Sequence, residues 1–288
     1  MPIRLQVISQ RAEELVIFDR PGTWLAGQVG RLIKEGPAKD LLSGTWLGHP
    51  LHPLLTDVPI GAWASALVLD LFGGEQSRRA AEMMVGVGVV GAVPTAAAGL
   101  TDFSDTFGVQ RRVATVHAAF NTVALGLYAA SWLARRRGRH SAGVALGLGG
   151  AAAVTGGGFL GGHLAYGMGV GVDRTAFDEE PSDWTPVVVE AELPEGQLTL
   201  AEVGNVPLLL LRRDGRILAV ADTCTHRGGP LHQGELEDGA VVVCPWHRSA
   251  FRMEDGEVVR GPASARQPAY ETRVIDGTVE VRVREPSA

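Results

Sequence analysis

The sequence predicts two unlike domains, an all-α transmembrane four-helix bundle followed by a small all-β domain. Four apolar stretches lie between residues 54 and 162, and each is close to the ~20 residues that cross a bilayer as a helix. After residue 184 the pattern changes to short β-branched runs separated by Asp-Gly pairs, which is typical of antiparallel strands. The mean hydropathy of +0.11 fits a membrane part joined to a soluble part.

Residues 1–48 form the first predicted region, which is amphipathic. Apolar residues recur at helical spacing around Trp24, Val29 and Leu32, so one face of a helix would be apolar. Such a helix can lie on a bilayer surface or pack on protein, and the sequence favours neither. The region lacks the basic start and apolar core of a cleaved signal peptide. We therefore expect membrane insertion to depend on the internal segments.

Residues 49–172 form the predicted transmembrane domain. Short polar connections separate the apolar stretches, so neighbouring helices should be antiparallel. Glycines four residues apart, such as Gly143 and Gly147 in the last stretch, allow close helix packing in lipid. A soluble, buried helical bundle is the alternative, but four consecutive stretches of this length rarely arise that way. The predicted stretches are residues 54–72, 80–100, 113–134 and 142–162.

Basic residues near the helix ends predict how the bundle is oriented. The side with more Lys and Arg in its short loops is usually cytoplasmic. Six arginines lie on the side opposite the termini and four basic residues on the side of the termini, which favours an extracytoplasmic β domain. The six are Arg78, Arg79, Arg135, Arg136, Arg137 and Arg139, and the four are Lys39, Arg111, Arg112 and Arg174.

Residues 173–183 are acidic and turn-prone and predict a linker, and residues 184–288 predict the β domain. Its apolar runs are separated by Asp-Gly pairs that suit hairpin turns. The net charge is −6, and no basic stripe is present, so nucleic acid is not an expected partner. The Asp-Gly pairs begin at Asp214, Asp238, Asp255 and Asp276.

Both cysteines of the chain belong to a compact pattern with histidines. Cys224-Thr-His226 and Cys244-Pro-Trp-His247 each follow an apolar run, so each turn offers one thiolate and one imidazole. A two-iron cluster can be held by two thiolates on one iron and two imidazoles on the other. Zinc is the alternative, although zinc fingers usually place both cysteines before both histidines. With both cysteines used as ligands, no disulfide indicates the compartment.

These motifs resemble the Rieske family, with C-T-H-x-G in the first loop and C-P-x-H in the second. Residues 228–231 (Gly-Gly-Pro-Leu) and Gly261-Pro262 also stand where that family has them. The resemblance covers about residues 184–284 and implies an all-β Rieske-type iron–sulfur domain that binds a [2Fe-2S] cluster. It implies that one iron is bound by the two thiolates and the other by the two imidazoles, the ligands being Cys224, His226, Cys244 and His247.

The same resemblance implies which residues surround the cluster, namely Gly228, Pro245 and Ser249. The Ser249 hydroxyl should donate a hydrogen bond to a cluster sulfur and stabilise the reduced form. Phe251 replaces the tyrosine that higher-potential members often have, and the extra cysteine pair of the cytochrome bc-type members is missing. The chain is therefore similar to the ferredoxin-type group, with a low or intermediate potential.

Three polar neighbours of the motifs have no predicted ligand role. Arg227 and Arg248 could attract an acidic partner or could be solvated surface charges, and the sequence leaves both interpretations open. His232 is predicted to be a surface residue.

Four histidines lie next to the ends of the apolar stretches: His49, His52, His117 and His163. Antiparallel crossings would place them on the membrane face that carries the β domain. One hypothesis is a second site that binds haem b or another metal; the alternative is interfacial residues that hydrogen-bond loop carbonyls. Residues 40–172 resemble a family of four-helix membrane domains of unknown function that is marked by H-P-x-H-P, here residues 49–53.

The sequence thus predicts a membrane-anchored electron carrier with a redox partner protein or quinone. The alternatives are an electron-transfer component of a membrane oxidoreductase or oxygenase system and a non-catalytic redox-sensing subunit. Rieske oxygenases add a domain with a mononuclear iron held by two histidines and a carboxylate, whereas His247 is the last histidine here. We expect an electron carrier or an oxidoreductase subunit rather than a stand-alone enzyme. The oligomeric state is not predicted.

Overall fold

The computed structural model describes residues 6–284, which form two compact units. One unit contains residues up to Ile33 together with Leu51–Val170, and the other contains Lys34–Pro50 together with the residues from Gly171 onward. This division differs from the predicted boundaries, because residues 34–50 and the predicted linker 173–183 group with the β domain. Residues 1–5 and 285–288, at the two ends of the predicted regions, lie outside the described residues.

The first unit is all-α, as predicted. Each predicted apolar stretch lies within one long helix, and all four helices are long and apolar enough to cross a membrane. All four helices begin two to five residues earlier than predicted, and the second and third of them also end later than predicted. The elements are α1 (Gln6–Glu14), α2 (Asp19–Leu32), α4 (Leu51–Phe72), α5 (Arg78–Ser104), α6 (Gly108–Arg136) and α7 (His140–Gly162), followed by a π-helical turn at His163–Gly167; α3 (Pro37–Ser43) belongs to the second unit.

Small residues fill the interior of the four-helix bundle, and larger apolar side chains face outward. Gly88 lies against Trp63, where a Cβ atom would come within 2.2 Å of the indole nitrogen. Buried alanines include Ala66, Ala81, Ala98 and Ala124, whereas Val68, Val90, Val93 and Val123 are more than half exposed. In water, valines of this kind would usually be buried. The arrangement is typical of helices that pack in lipid.

Arg135 lies inside the bundle rather than in the predicted loop that begins there. Its guanidinium makes two bonds to the carboxylate of Asp70, of 2.7 and 2.5 Å, and both side chains are at least 95% buried. Arg135 is one of the six arginines that predicted the orientation, and Lys39, one of the four basic residues on the other side, is also buried. Removing both leaves five against three, so the difference of two that the sequence indicated is unchanged.

The second unit confirms the predicted all-β domain. The strands are β1 (Thr185–Val189), β2 (Leu198–Val203), β3 (Val206–Arg213), β4 (Arg216–Ala221), β5 (Glu235–Glu237), β6 (Val241–Val243), β7 (Ala250–Arg252), β8 (Val258–Arg260), β9 (Ala269–Ile275) and β10 (Thr278–Val283). They form an antiparallel sheet of order β1-β10-β9-β4-β3-β2 and a second of order β5-β6-β7-β8. Strands β1 and β2 also contact each other, so the larger sheet nearly closes into a barrel.

The turns of this unit follow the predicted chemistry. Asp214-Gly215 joins β3 to β4, and Asp276-Gly277 joins β9 to β10, with positive φ at all four residues. Two successive positive φ angles are the signature of a hairpin turn whose twist matches that of the strands. These turns fix the register of the large sheet, which supports the loops described next.

Candidate metal centre

The first ligand loop, residues 222–230, follows β4 and carries Cys224 and His226. The backbone N–H of Cys224 donates to the carbonyl of Gly229 (2.9 Å), and the N–H of Gly228 donates to the carbonyl of Cys224 (2.8 Å). Gly228 has a φ of 77°, a conformation that glycine adopts without strain. This hydrogen-bonded turn holds the thiol and the imidazole on one side of the loop.

The second ligand loop, residues 244–249, joins β6 to β7 and repeats this construction. The N–H of Cys244 donates to the carbonyl of Ser249 (2.8 Å), and the N–H of Arg248 donates to the carbonyl of Cys244 (3.1 Å). Arg248 has a φ of 63°, which is unusual for a residue with a side chain. Arg248 and Ser249 are therefore the equivalents of Gly228 and Gly229 in the first loop.

The two loops approach each other closely at Gly229. A Cβ atom on this residue would lie 2.7 Å from Sγ of Cys244 and 3.2 Å from the ring of Trp246. Real Cβ atoms do not come that near a sulfur atom, so only glycine allows this approach. The contact brings the cysteine of one loop against the backbone of the other.

The four predicted ligands come together between the loops. Cys224 and Cys244 are 1% and 2% exposed, and Nδ1 of both histidine rings is buried. The rings of His226 and His247 lie 5.0 Å apart, centroid to centroid, at an interplanar angle of 84°. With a metal–nitrogen bond of about 2.0 Å and a ring centre about 1.1 Å behind the nitrogen, two imidazoles at roughly a tetrahedral angle on one metal would be about 5 Å apart.

This arrangement fits a two-iron cluster better than a single zinc ion. Among the described residues, no three His, Cys, Asp or Glu side chains converge so as to hold one ion. A structural zinc site needs four ligands around one point, whereas a Rieske-type cluster needs only two ligands on each iron. The paired thiols and paired imidazoles could therefore hold a [2Fe-2S] cluster.

The electrostatics of the site favour the metal-binding protonation states of His226 and Cys244, though not of Cys224. Burial lowers the pKa of His226 well below its usual value, and the positive charges of His247, Arg227, Lys39 and Arg174 act in the same direction. The imidazole is thus neutral at pH 7, as a ligand must be. Contact with the Cys224 thiol, together with the N–H groups of Trp246 and His247, lowers the pKa of Cys244 to about 7 against the effect of burial.

Contact with Cys244 and burial raise the pKa of the Cys224 thiol well above its usual value. Metal binding must displace the proton of this thiol, because the thiolate is the form that binds.

Gln267 supports the first ligand loop and was missed by the sequence analysis. Its side chain is fully buried; the amide donates to the carbonyls of Ala221 (2.8 Å) and Thr223 (2.6 Å), and Oε1 accepts from the N–H of Thr225 (3.2 Å). No local pattern identifies a glutamine that lies over 40 residues from its partners. It satisfies backbone groups of a loop that has no strand beside it.

The three predicted neighbours of the cluster occupy different environments. Ser249 is fully buried and its hydroxyl accepts from the N–H of Ala263 (2.9 Å), so its own proton remains available to donate. Gly228 forms the turn of the first loop, and Pro245 is exposed beside Trp246, itself 50% exposed. Phe251 is fully buried in the core behind the loops.

The polar neighbours differ from the predicted surface charges. Arg227 is buried, and Arg248 forms ion pairs with Glu35 (3.3 Å) and Glu235 (3.1 Å). Neither is an isolated surface charge that would attract an acidic partner. His232 is partly exposed, but its Nδ1 lies 2.8 Å from the buried carboxylate of Asp222, which ties the end of the first loop.

Residues 34–50 contribute to the surroundings of both loops. The carboxylate of Asp40 accepts from the N–H of Gly261 (2.9 Å), Glu35 pairs with Arg248, and Lys39 is buried where its charge acts on His226. The predicted amphipathic helix ends before this segment, so the sequence did not indicate the contacts.

The four membrane histidines do not form one group. His49 belongs to the second unit and bonds the carbonyl of Pro50 (3.1 Å). In the helical unit, Nε2 of His163 lies 2.7 Å from a carboxylate oxygen of Glu13, whereas the ring centroids of His52 and His117 lie 6.3 Å apart with the rings nearly perpendicular. Only this last pair remains as a candidate second site.

Comparison with known proteins identifies the family of the C-terminal part. Residues 183–271 match the family described as Rieske [2Fe-2S] domain. The 3-phenylpropionate/cinnamic acid dioxygenase ferredoxin subunit of Photorhabdus laumondii is 34% identical over 33% of this chain and 89% of its own length. The anthranilate 1,2-dioxygenase ferredoxin subunit of Burkholderia cepacia is 29% identical over 35% of this chain and 94% of its own.

The helical part matches a different family, and a solved structure is similar to about a third of the chain. Residues 48–174 match the family described as Predicted membrane protein (DUF2231). The ferredoxin of carbazole 1,9a-dioxygenase from Nocardioides aromaticivorans IC177 is 21% identical, covers 36% of this chain and 100% of its own, and has a TM-score of 0.34. The family assignment rests on the sequence matches.

Proposed function

Because this chain belongs to the Rieske [2Fe-2S] domain family through residues 183–271, we propose that it is a membrane-anchored one-electron carrier. Its ligands would be Cys224 and Cys244 on one iron and His226 and His247 on the other. When bound, the cluster supplies a one-electron couple. The observation that carries the proposal is the pairing of these side chains, with the histidine rings 5.0 Å apart.

Two observations support membrane anchoring. Residues 48–174 match a family described as a predicted membrane protein, and four helices are long and apolar enough to span a bilayer. The valines on the outside of these helices and the small residues between them are better suited to a lipid environment than to water. We infer a multi-pass protein of the cell membrane whose termini lie on the same side.

Electrons would enter and leave at the histidine edge of the site. Both thiols are buried, whereas His226 and His247 are partly exposed and Trp246 is half exposed beside them. A redox partner could therefore approach the imidazoles more closely than the sulfur ligands. We infer that the partner docks on the surface that contains Pro245 and Trp246.

Buried and partly buried positive charge would tune the potential of the site. Lys39, Arg174 and Arg227 all act on His226, and a reduced cluster carries one more negative charge than an oxidised one. Positive charge nearby stabilises the reduced form. Lys39 lies outside the family match, which begins at residue 183, so this contribution is an addition of the present chain to the ferredoxin-type domain.

Electron paramagnetic resonance of the full chain in lipid nanodiscs tests the proposal. Reduction with dithionite should produce the spectrum of a Rieske-type cluster with two irons per chain, and His226→Ala should abolish it. A chain that binds one zinc and no iron, or a variant that keeps the spectrum, would refute the ligand assignment.

The relatives favour a second, narrower candidate, an electron-transfer component of an oxygenase system. Two of them are named dioxygenase ferredoxin subunits, and a quinone partner is the alternative. Rates of reoxidation of the nanodisc-bound chain, measured with a quinone and with proteins that co-purify, distinguish the two. Cysteine labelling at Arg137→Cys from one side of the membrane determines the orientation.

A further inference from the structure

We propose that the helical unit contains a second redox centre, a haem whose iron is bound on opposite faces by His52 and His117. The inference rests on geometry in this unit and is independent of the cluster in the β domain. It separates these two residues from His49 and His163, which the sequence analysis could not do.

The two histidines occupy equivalent positions in two helical hairpins. In the first hairpin, Nδ1 of His52 on α4 lies 3.0 Å from the carbonyl of Thr95 on α5. In the second, Nδ1 of His117 on α6 lies 2.8 Å from the carbonyl of Gly157 on α7. Each hairpin thus presents one imidazole that is anchored by the neighbouring helix.

A glycine four residues after each carbonyl makes room for the ring. At Gly99, a Cβ atom would lie 2.7 Å from Cε1 of His52, and at Gly161 it would lie 3.1 Å from Cε1 of His117. A larger residue at Gly99 would displace the ring from its carbonyl. The same carbonyl-and-glycine arrangement occurs twice. This repetition indicates that both rings are held for one shared role.

The carbonyl contacts fix the protonation of both rings. A carbonyl oxygen can only accept a hydrogen bond, so Nδ1 of each ring must carry the proton. Nε2 of a neutral imidazole then has a lone pair that can bind a metal, and the bond at Nδ1 holds the ring in orientation. The amide nitrogen of Asn121 donates to the carbonyl of His117 (2.9 Å) and lies 3.4 and 3.3 Å from Nδ1 and Nε2 of its ring, so Asn121 borders the nitrogen that would bind the metal.

The spacing of the rings matches two ligands on opposite sides of one metal. With a metal–nitrogen bond of about 2.0 Å and a ring centre about 1.1 Å behind the nitrogen, such rings lie about 6.2 Å apart. The observed centroid distance is 6.3 Å, with an interplanar angle of 88°. The tetrahedral pair in the β domain, at 5.0 Å, is clearly closer.

The number of protein ligands points to haem rather than to a bare ion. Among the described residues, no third His, Cys, Asp or Glu joins the pair to hold an ion. The four remaining positions of an octahedral iron must therefore come with the cofactor, as they do in a tetrapyrrole.

Titration of the purified full chain with haemin tests the proposal. The wild-type chain should bind one haemin with the spectrum of six-coordinate, low-spin iron. His52→Ala and His117→Ala should each weaken binding by about a hundredfold, and added imidazole should restore the six-coordinate spectrum. His163→Ala and His140→Ala are the controls and should bind as the wild type does.

Two results would overturn the proposal. One is failure of the wild-type chain to bind haemin; the other is unchanged binding by both His52→Ala and His117→Ala. Cys244→Ser removes a cluster ligand and should leave haemin binding unchanged, so failure of the cluster assignment and failure of this one are distinguishable. The helical circular dichroism of each variant verifies that the bundle has folded.

Discussion

The two ligand loops have equivalent backbone hydrogen bonds, but the first is surrounded by buried side chains and the second is partly exposed. The first loop is glycine-rich, is supported by the buried Gln267, and contains the buried Arg227. The second loop has Arg248 and Ser249 at the equivalent positions and exposes Pro245 and Trp246. The difference suggests a division of roles, in which the first loop provides rigidity, close approach and buried positive charge, and the second provides the Ser249 hydroxyl and contact with a partner.

The largest expected effect is loss of the cluster when a histidine ligand of either loop is removed. His226→Ala and His247→Ala should each abolish the visible absorption and the electron paramagnetic resonance of the cluster, because an iron with one imidazole is not stably held. Iron content per chain verifies the loss. If one variant keeps a full cluster, the ligands do not divide evenly between the loops.

Gly229→Ala tests the close approach of the loops. The added Cβ atom would lie 2.7 Å from Sγ of Cys244, so the loops must separate and most of the cluster should be lost. Ser249→Ala is the matched control, since Ser249 occupies the equivalent position and already has a Cβ atom. Equal cluster content in both variants, measured as iron and sulfide per chain, would show that the contact is unimportant.

Gln267→Leu tests the support of the first loop. It leaves two buried carbonyls and one N–H without their side-chain partner, at a cost of about 3 kcal/mol. The temperature at which the cluster absorption is lost should fall by several degrees. Gln233→Leu, at an exposed position, should change it little; an equal fall in both variants would contradict the role of Gln267.

Ser249→Ala tests tuning by the second loop. Loss of a hydroxyl that donates to the cluster removes about 1.5 kcal/mol of stabilisation from the reduced form. The reduction potential should therefore fall by about 60 mV for one electron, as measured by a redox titration. Ser249→Thr keeps the hydroxyl and should retain most of the potential. An unchanged potential in the alanine variant would mean that the hydroxyl does not reach the cluster.

The smallest effects concern the residues with positive φ. Gly228→Ala should destabilise the first loop by about 1 kcal/mol because its φ is 77°. Arg248→Gly relieves a similar strain but loses exposed ion pairs that are worth less than about 1 kcal/mol, so it should be nearly neutral. Thermal loss of the cluster measures both. A larger destabilisation by Arg248→Gly would show that the ion pairs of Arg248 with Glu35 and Glu235 stabilise the second loop.

Local patterns explain why much of the fold could be predicted. The apolar stretches of the four long helices and the Asp-Gly turns are properties of neighbouring residues, and the structure confirms the fold class. Helix ends were less well predicted, since Arg135 continues α6 and pairs with Asp70 on α4. The composition placed the charge of Arg135 in a loop, but in the structure this charge lies inside the bundle. Asp70, which is 65 residues away in the chain, stabilises it there.

By itself, the sequence determined the two kinds of domain and the four candidate cluster ligands, because their periodicity and spacing are local. The tertiary structure decided which residues support those ligands: Gln267 and the 34–50 segment are remote in the chain, and burial alone converts Arg227 from a surface charge into an interior one. It also placed the rings of His52 and His117, two of four similar histidines, within 6.3 Å of each other. Spacing along the chain does not determine which carbonyl each ring can reach, and only helix packing sets that distance.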